Sequence, residues 1–196
     1  MVLIRPAKQA DAPLLAELVD MAGAGLPAYL WSLLGEHTDN ELDVGAARIA
    51  RPQGTMSHSN IRVALISQKI AGMMHGYHLQ DQDDVGPLED YPEFLRPLLE
   101  LESLSSTAWY HNALATFEEF RGRGVGTALM NDAEDLARAA GADEMRLIVA
   151  STNTGAKRIY DRLGYHVIAT RQVVPIDGLF QRGDWLLMAK NLSPST

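Results

Sequence analysis

The chain has 196 residues, a net charge of −8 at neutral pH and no cysteine. Its length suits one well-packed domain, and its acidity argues against a general nucleic-acid-binding protein, which needs a basic face. The missing thiols exclude disulfides, thiolate metal sites and a cysteine nucleophile. Because no apolar run approaches the roughly 20 residues of a membrane span, and the start lacks a signal-peptide pattern, we expect a cytoplasmic protein without membrane partners.

The first half of the chain predicts a strand, three helices and a hairpin. A short apolar strand over residues 2–4 ends at Pro6, and Asp11 can cap the helix that follows it. The apolar stripe of this helix consists of Leu14, Leu15, Leu18, Val19 and Ala22. Further helical patterns cover residues 28–34 and 41–49. The strands 61–67 and 70–79 predict an antiparallel hairpin that turns at Gln68 and Lys69.

The second half begins with a polar, acidic insertion over about residues 80–106, in which we predict a helix over 92–102. A strand over 108–117 leads through glycines into a helix that ends near Ala140. The stripe of this helix is Val125, Leu129, Ala133, Leu136 and Ala140. A strand over 144–150, a helix over 153–163 and strands over 165–174 and 184–192 complete the order, which is typical of one α/β domain with a mixed sheet.

The segment RGRGVGTALM, residues 121–130, has the composition of an anion site. Glycine amides can turn inward, a helix N-terminus attracts negative charge, and arginines add fixed positive charge. The residues concerned are Arg121, Gly122, Arg123, Gly124, Val125, Gly126 and Thr127. The alternative is a glycine-rich turn that only links strand to helix. The spacing fits neither the dinucleotide-binding fingerprint nor the phosphate loop of nucleotide hydrolases.

Two motifs resemble the GCN5-related N-acetyltransferase (GNAT) superfamily. Arg121, Gly124 and Gly126 occupy the positions of its R/Q-x-x-G-x-G/A signature. The later segment NTGAKRIYDRLGY is similar to its N-x-x-A-x-x-x-Y-x-x-x-G-F/Y helix, with Asn153, Ala156, Tyr160, Gly164 and Tyr165 in place. The resemblance implies a central mixed, mostly antiparallel sheet with one splayed parallel pair, flanked by helices, over nearly the whole chain.

The resemblance also implies acetyl-CoA as the co-substrate. The backbone of Leu114, Ala115 and Thr116 would pair with the pantetheine, and the amides of residues 121–127 would hold the pyrophosphate. Asn153, Ala156 and Tyr160 share one helix face because they lie three, four and seven positions apart. Tyr160 would donate a proton to the departing CoA thiolate. The alternatives are a half-buried structural aromatic for Tyr160 and a helix cap for Asn153, which can serve both purposes.

The general base is the part of the machinery for which the sequence offers competing candidates. Some members of the superfamily use a glutamate on the strand before the glycine loop, but this strand has no carboxylate before Glu118. Glu100 and Glu102 precede it, and His111 lies on it with a suitable intrinsic pKa. We favour Glu102 or a relayed water as the base, with His111 as a further candidate.

These features predict an acetyl-CoA-dependent N-acetyltransferase. The acceptor would be a primary amine of a small molecule or a protein, and it would attack directly in a ternary complex. Alternatives are an acyltransferase that uses another acyl-CoA or a hydroxyl acceptor, and a CoA-binding sensor without turnover. We expect no metal cofactor, since no paired metal-ligand motif is present. An exposed edge strand near the C-terminus could form a homodimer.

Overall fold

The polypeptide is organised as two units that share three secondary-structure elements. The computed structural model describes residues 1–34, 40–79, 86–105, 108–179 and 182–192. The first unit contains residues 1–76 and 113–133, and the second contains 77–112 and 134–196. The chain crosses between the units within two strands and one long helix. The predicted single domain stays a prediction.

The first unit follows the predicted order closely. Its elements before the crossing are β1 (Leu3–Pro6), α1 (Ala12–Ala22), α2 (Leu26–Leu34), α3 (Glu41–Ile49), β2 (Ile61–Ile66) and most of β3 (Lys69–His78). Strand β2 pairs antiparallel with both β1 and β3. The core of this unit includes Leu15, Leu18, Ile49, Ile61 and Met73, all fully buried. Apolar spacing therefore predicts these elements correctly.

Three details of the first unit differ from the sequence-based expectation. The hairpin turns at Ser67 and Gln68 rather than one residue later, and both residues adopt positive φ angles of 50° and 66°, as a two-residue hairpin turn requires. Asp11 does not cap α1, because its carboxylate accepts hydrogen bonds from Arg5 and from the Lys8 backbone N–H. Leu14 is 42% exposed, so it lies outside the buried stripe of α1.

Gly72 on β3 allows a close approach of backbones within the first unit. A side chain at this position would collide with the Ala115 carbonyl and meet the Cα of Thr116 at 3.1 Å. The Phe117 N–H donates to the Ala71 carbonyl at 2.9 Å beside it. A residue without a Cβ is therefore required where these two chain segments meet.

The second unit contains the C-terminal strands and two further helices. Its elements are α4 (Arg96–Ser103), the start of β4 (Trp109–Thr116), the end of α5 (Val125–Ala139), β5 (Glu144–Ala150), α6 (Thr154–Arg162), β6 (His166–Gln172) and β7 (Asp184–Asn191). Strand β7 pairs antiparallel with β5 and β6. Leu101, Val173, Trp185 and Leu187 form a buried cluster here. The order of elements again agrees with the prediction.

Within the part of the chain that the structure describes, seven strands hydrogen bond in the order β1-β2-β3-β4-β5-β7-β6, which places β6 at an edge. Strands β4 and β5 run parallel, and the other pairs with a described register run antiparallel. The parallel register joins Trp109, Tyr110 and His111 to residues 145–147, and both strands continue beyond it. The predicted fold class, a mostly antiparallel mixed sheet with one parallel pair and flanking helices, is confirmed.

Two helices of the second half differ in detail. Helix α4 begins at Arg96, not near Pro92, because a short turn at Leu88–Asp90 and irregular backbone precede it. On α5 the buried residues after Leu129 are Met130, Ala133, Glu134 and Ala137, whereas Leu136 and Ala140, predicted in the stripe, are not buried. Residues 80–85 and 106–107 of the predicted insertion lie outside the described residues. None of the helices among the described residues is long and apolar enough to cross a membrane.

Candidate active site

The glycine-rich segment lies in the first unit at the start of α5. Gly122 and Gly124 have φ angles of 72° and 77°, which residues with a Cβ rarely adopt. No atom lies within 4 Å of a Cβ built on either glycine, so the space beside this backbone is open. The first N–H groups of a helix have no partner within it, and here they begin at Val125.

Two exposed arginines flank this segment. Arg121 and Arg123 are solvent-exposed, and the Arg123 guanidinium lies 5.7 Å from the centroid of the Phe120 ring. Of the neighbouring residues predicted to bind the co-substrate, Leu114, Thr116, Gly126 and Thr127 are half-buried, and Ala115 and Val125 are buried. The first unit therefore offers positive charge, free amide positions and space at one helix start, as an anionic diphosphate requires.

The second motif lies in the second unit on α6. Asn153 precedes this helix, and its side-chain oxygen accepts a hydrogen bond from the Ala156 N–H at 3.2 Å. The cap that we considered as an alternative for Asn153 is thus observed. Burial increases along the predicted face, because Asn153 is exposed, Ala156 is half-buried and Tyr160 is 5% exposed.

Tyr160 packs against the strand where the parallel register ends. The centroids of its ring and the buried His111 ring are 6.1 Å apart, with an edge-to-face angle of 71°. His111 is the last β4 residue in the register with β5. Burial raises the pKa of the Tyr160 phenol above its ordinary value, so the group is protonated at neutral pH. The structure thus brings together two of the three predicted catalytic residues.

The third predicted residue, Glu102, lies on α4 near two tyrosines. Burial raises the pKa of its carboxyl. Burial also raises the pKa values of Tyr77 and Tyr110, and the charge of Glu102 raises them further. These two rings meet edge to face with centroids 6.0 Å apart. Glu100 is different, because it forms an ion pair with Arg171 at 2.5 Å and is about two-fifths exposed. The structure therefore favours Glu102 over Glu100 as an inward-facing acid.

Sequence reasoning missed a buried charged cluster in the second unit. Glu134 on α5 is 4% exposed and accepts from the Lys190 ammonium at 2.6 and 2.7 Å. Arg138 donates to it at 3.1 Å, and the Tyr165 hydroxyl lies 3.4 Å from its Oε1 atom. The available signal was position: Glu134 follows the apolar Met130 by four residues, one turn along the buried stripe.

The side chains described give no grouping of three or more potential metal ligands. The first unit contributes a basic glycine-rich helix start, and the second unit contributes a protonated buried phenol, a histidine and a carboxyl. A helix start of this kind suits a diphosphate, and a phenol suits proton donation to a leaving group.

Comparison with known proteins places this fold among the acetyltransferases. A model of the acetyltransferase (GNAT) family matches residues 29–165, which is more than half of the chain. The chain belongs to this family, whose chemistry is consistent with acetyl-CoA-dependent acetylation. None of the curated proteins matches the chain at a significant level.

Solved structures share the fold over almost the whole chain at low sequence identity. An acetyltransferase crystal structure is 23% identical, with a TM-score of 0.65, and covers 97% of this chain and 100% of its own. The yncA protein of Salmonella typhimurium, determined with its cofactor acetyl-CoA, is 19% identical, with a TM-score of 0.62 and coverages of 100% and 96%. An agmatine N-acetyltransferase mutant is 15% identical, with a TM-score of 0.67 and coverages of 97% and 99%.

Proposed function

We propose that this protein transfers the acetyl group of acetyl-CoA to a primary amine by direct attack within a ternary complex. The observation that carries the proposal is Tyr160, a buried and protonated phenol that packs against His111 at the end of the parallel register. Membership of the acetyltransferase family supports the reaction class. The lack of cysteine supports direct transfer, because no thiol can carry the acetyl group.

The start of α5 is the proposed binding site for the diphosphate of the co-substrate. The left-handed glycines leave room for a close approach, and Arg121 and Arg123 supply compensating charge. We propose that the amides of residues 122–127 bind the phosphate oxygens, whereas the Arg121 N–H, predicted among them, donates to the Glu118 carbonyl at 3.1 Å. Leu114, Ala115 and Thr116 stay predicted partners of the pantetheine, and Asn153 and Ala156 stay predicted cofactor-binding residues.

The chemistry assigned to Tyr160 is proton donation. Bound acetyl-CoA supplies the acetyl group as an activated thioester. The acceptor nitrogen forms a bond to the carbonyl carbon and loses a proton to the general base, and the carbon–sulfur bond then breaks. Tyr160 gives its phenolic proton to the departing sulfur, and solvent restores the phenol. Burial keeps the phenol protonated and also makes it a weak acid, so it releases its proton only when negative charge develops on the sulfur.

Glu102 is the proposed base, acting directly or through a water molecule. The raised pKa of its carboxyl moves it toward the range in which a group both accepts and releases protons. His111 is the competing candidate, because it contacts the Tyr160 ring. Replacement by glutamine at each position separates the two: the variant of the true base loses turnover and regains part of it as pH rises.

The acceptor is proposed to be a small-molecule amine or a protein amino group. The agmatine N-acetyltransferase among the similar structures supports the small-molecule class. A cytoplasmic location and a homodimer formed through edge strand β6 stay predictions. The bulge at Ile168, which falls between the paired residues Val167 and Ala169, would have to be accommodated in such a dimer.

The proposal is tested by Tyr160→Phe together with measurements of acetyl-CoA binding. We expect acetyl-CoA at 100 times its dissociation constant to stabilise both proteins by about 2.7 kcal/mol. Turnover with a panel of amines is measured by the release of the CoA thiol. It should be lower by about 100-fold or more in Tyr160→Phe than in the unaltered protein. Unchanged turnover would reject the role of Tyr160.

Two other outcomes discriminate between function classes. Absence of thermal stabilisation by acetyl-CoA and CoA would contradict the proposed co-substrate. Stabilisation without thiol release across the whole amine panel would favour the CoA-binding sensor instead. Release of the CoA thiol from longer acyl-CoA thioesters, and not from acetyl-CoA, would identify a different acyl donor.

A further inference from the structure

Tyr160 is held between two aromatic rings of the second unit. His111 meets one side of it, as described above, and Tyr165 meets it with ring centroids 5.9 Å apart and an angle of 62°. All three side chains are buried, with exposed fractions of 2% to 5%. The direction of the Tyr160 hydroxyl therefore depends on whether these neighbouring rings keep their places.

The Tyr165 ring has its own anchor. Its hydroxyl lies 3.0 Å from the Met145 sulfur and 3.4 Å from Glu134 Oε1, and the Lys190 ammonium lies 5.6 Å from its centroid. Glu134 is in turn fixed by Lys190 and Arg138. A phenol held by a buried ion pair and a cation–π contact has little freedom to rotate.

We propose that Tyr165 is a positioning residue for Tyr160, with Glu134 and Lys190 holding its ring in place. The inference rests on the proposed function, because it takes Tyr160 as the proton donor. Tyr165 itself would touch neither substrate nor co-substrate. Its contribution would be to keep the Tyr160 ring at one angle, so that the phenolic proton meets the leaving sulfur, a geometry to which proton transfer is sensitive.

The test compares substitutions that keep or remove the ring. Tyr165→Leu removes the edge contact with Tyr160, and Tyr165→Phe keeps the ring while losing the hydroxyl anchor. Val173→Ala provides the stability control, because it trims a buried side chain in the separate cluster with Leu101 and Leu187. The readouts are kcat, KM for acetyl-CoA and thermal unfolding. Tyr165→Met, which fills the space with a flexible apolar chain, replaces the leucine variant if that one does not fold.

We expect Tyr165→Leu to lower kcat by roughly 10- to 100-fold with KM for acetyl-CoA little changed. Tyr165→Phe should retain more of the turnover than Tyr165→Leu, and Val173→Ala should retain turnover despite lower stability. The decisive measurement is the double variant. If Tyr165 acts through Tyr160, then Tyr165→Leu should lower kcat no further in a Tyr160→Phe background.

Two results would overturn the inference. One is a kcat for Tyr165→Leu, or for its methionine replacement, equal to that of Val173→Ala. The other is an equal fractional loss of kcat in the presence and absence of the Tyr160 hydroxyl. Failure of the proposed function looks different, because Tyr160→Phe alone would then leave turnover unchanged.

Discussion

The Glu134–Lys190 pair allows a quantitative test of how the second unit is held together. Replacing Glu134 by methionine removes the carboxylate and leaves the Lys190 ammonium, whose side chain is 21% exposed, without it. Removing one partner of a buried ion pair lowers the free energy of unfolding by about 3–5 kcal/mol. Because water reaches part of Lys190, we expect a loss of unfolding free energy near the lower limit, about 3 kcal/mol.

Lys190→Met is expected to cost less. The remaining carboxylate is 6% exposed, but Arg138 still donates to it at 3.1 Å. The double variant removes both charges and leaves two apolar chains of similar length, so its loss should be smaller than the sum of the single losses. For a chain of this size, a loss of 3 kcal/mol corresponds to a Tm decrease of about 6–12 °C.

Urea unfolding followed by far-ultraviolet circular dichroism measures these losses. The matched control is the exposed pair Lys157–Asp161 on α6, with an N–O distance of 2.8 Å. Lys157→Met should cost only about 0.3–0.5 kcal/mol, because solvent screens this pair. If the two losses in the Glu134–Lys190 cycle add without coupling, the reasoning from burial is wrong.

Two further predictions concern pH and backbone conformation. Burial lowers the pKa of His75 to about 4, and the hydrogen bond that its Nε2–H donates to the Thr55 carbonyl at 2.7 Å offsets only part of this effect. The unfolded chain therefore binds a proton at a higher pH than the folded chain, and stability should fall by about 3 kcal/mol as pH falls from 6.5 to 4. His75→Gln should remove this part of the pH dependence in urea titrations. Gly124→Ala should lose about 1–2 kcal/mol, because the φ of 77° is unfavourable for alanine. Gly155→Ala on α6, where the nearest atom to a new Cβ is at 3.8 Å, should gain about 0.4–1 kcal/mol.

Each of these predictions has a clear contrary result. An unfolding free energy with the same pH dependence in His75→Gln and the unaltered protein would show that His75 titrates normally. Equal stability changes for Gly124→Ala and Gly155→Ala would show that backbone conformation does not distinguish the two sites.

Most of the secondary structure could be predicted because its causes are local. The alternation in residues 61–66 and the spacing of Leu15, Leu18 and Val19 are properties of short segments, and the structure reproduces the elements they predict. One error falls where two groups compete for the same side chain. The Asp11 carboxylate binds Arg5, six positions away, instead of capping α1.

The residues of the candidate site also differ in how far the sequence alone could identify them. Tyr160 was singled out by the resemblance of its helix motif to the family, and the glycine-rich segment by its composition, and both are local properties of the chain. The distinction between Glu100 and Glu102 could not be predicted from the sequence, since it depends on which side of α4 meets Arg171 and which side faces the tyrosines.

By itself, the sequence determined the order of the elements, the family resemblance and the phenol proposed as proton donor. Only the tertiary structure decided which charges are buried and paired. Glu134 and Lys190 are 56 positions apart, and nothing local to either residue indicates the other. Their ion pair exists because α5 and β7 bring them together in an environment where an unpaired charge would be too costly. The same packing places Tyr165 against Tyr160.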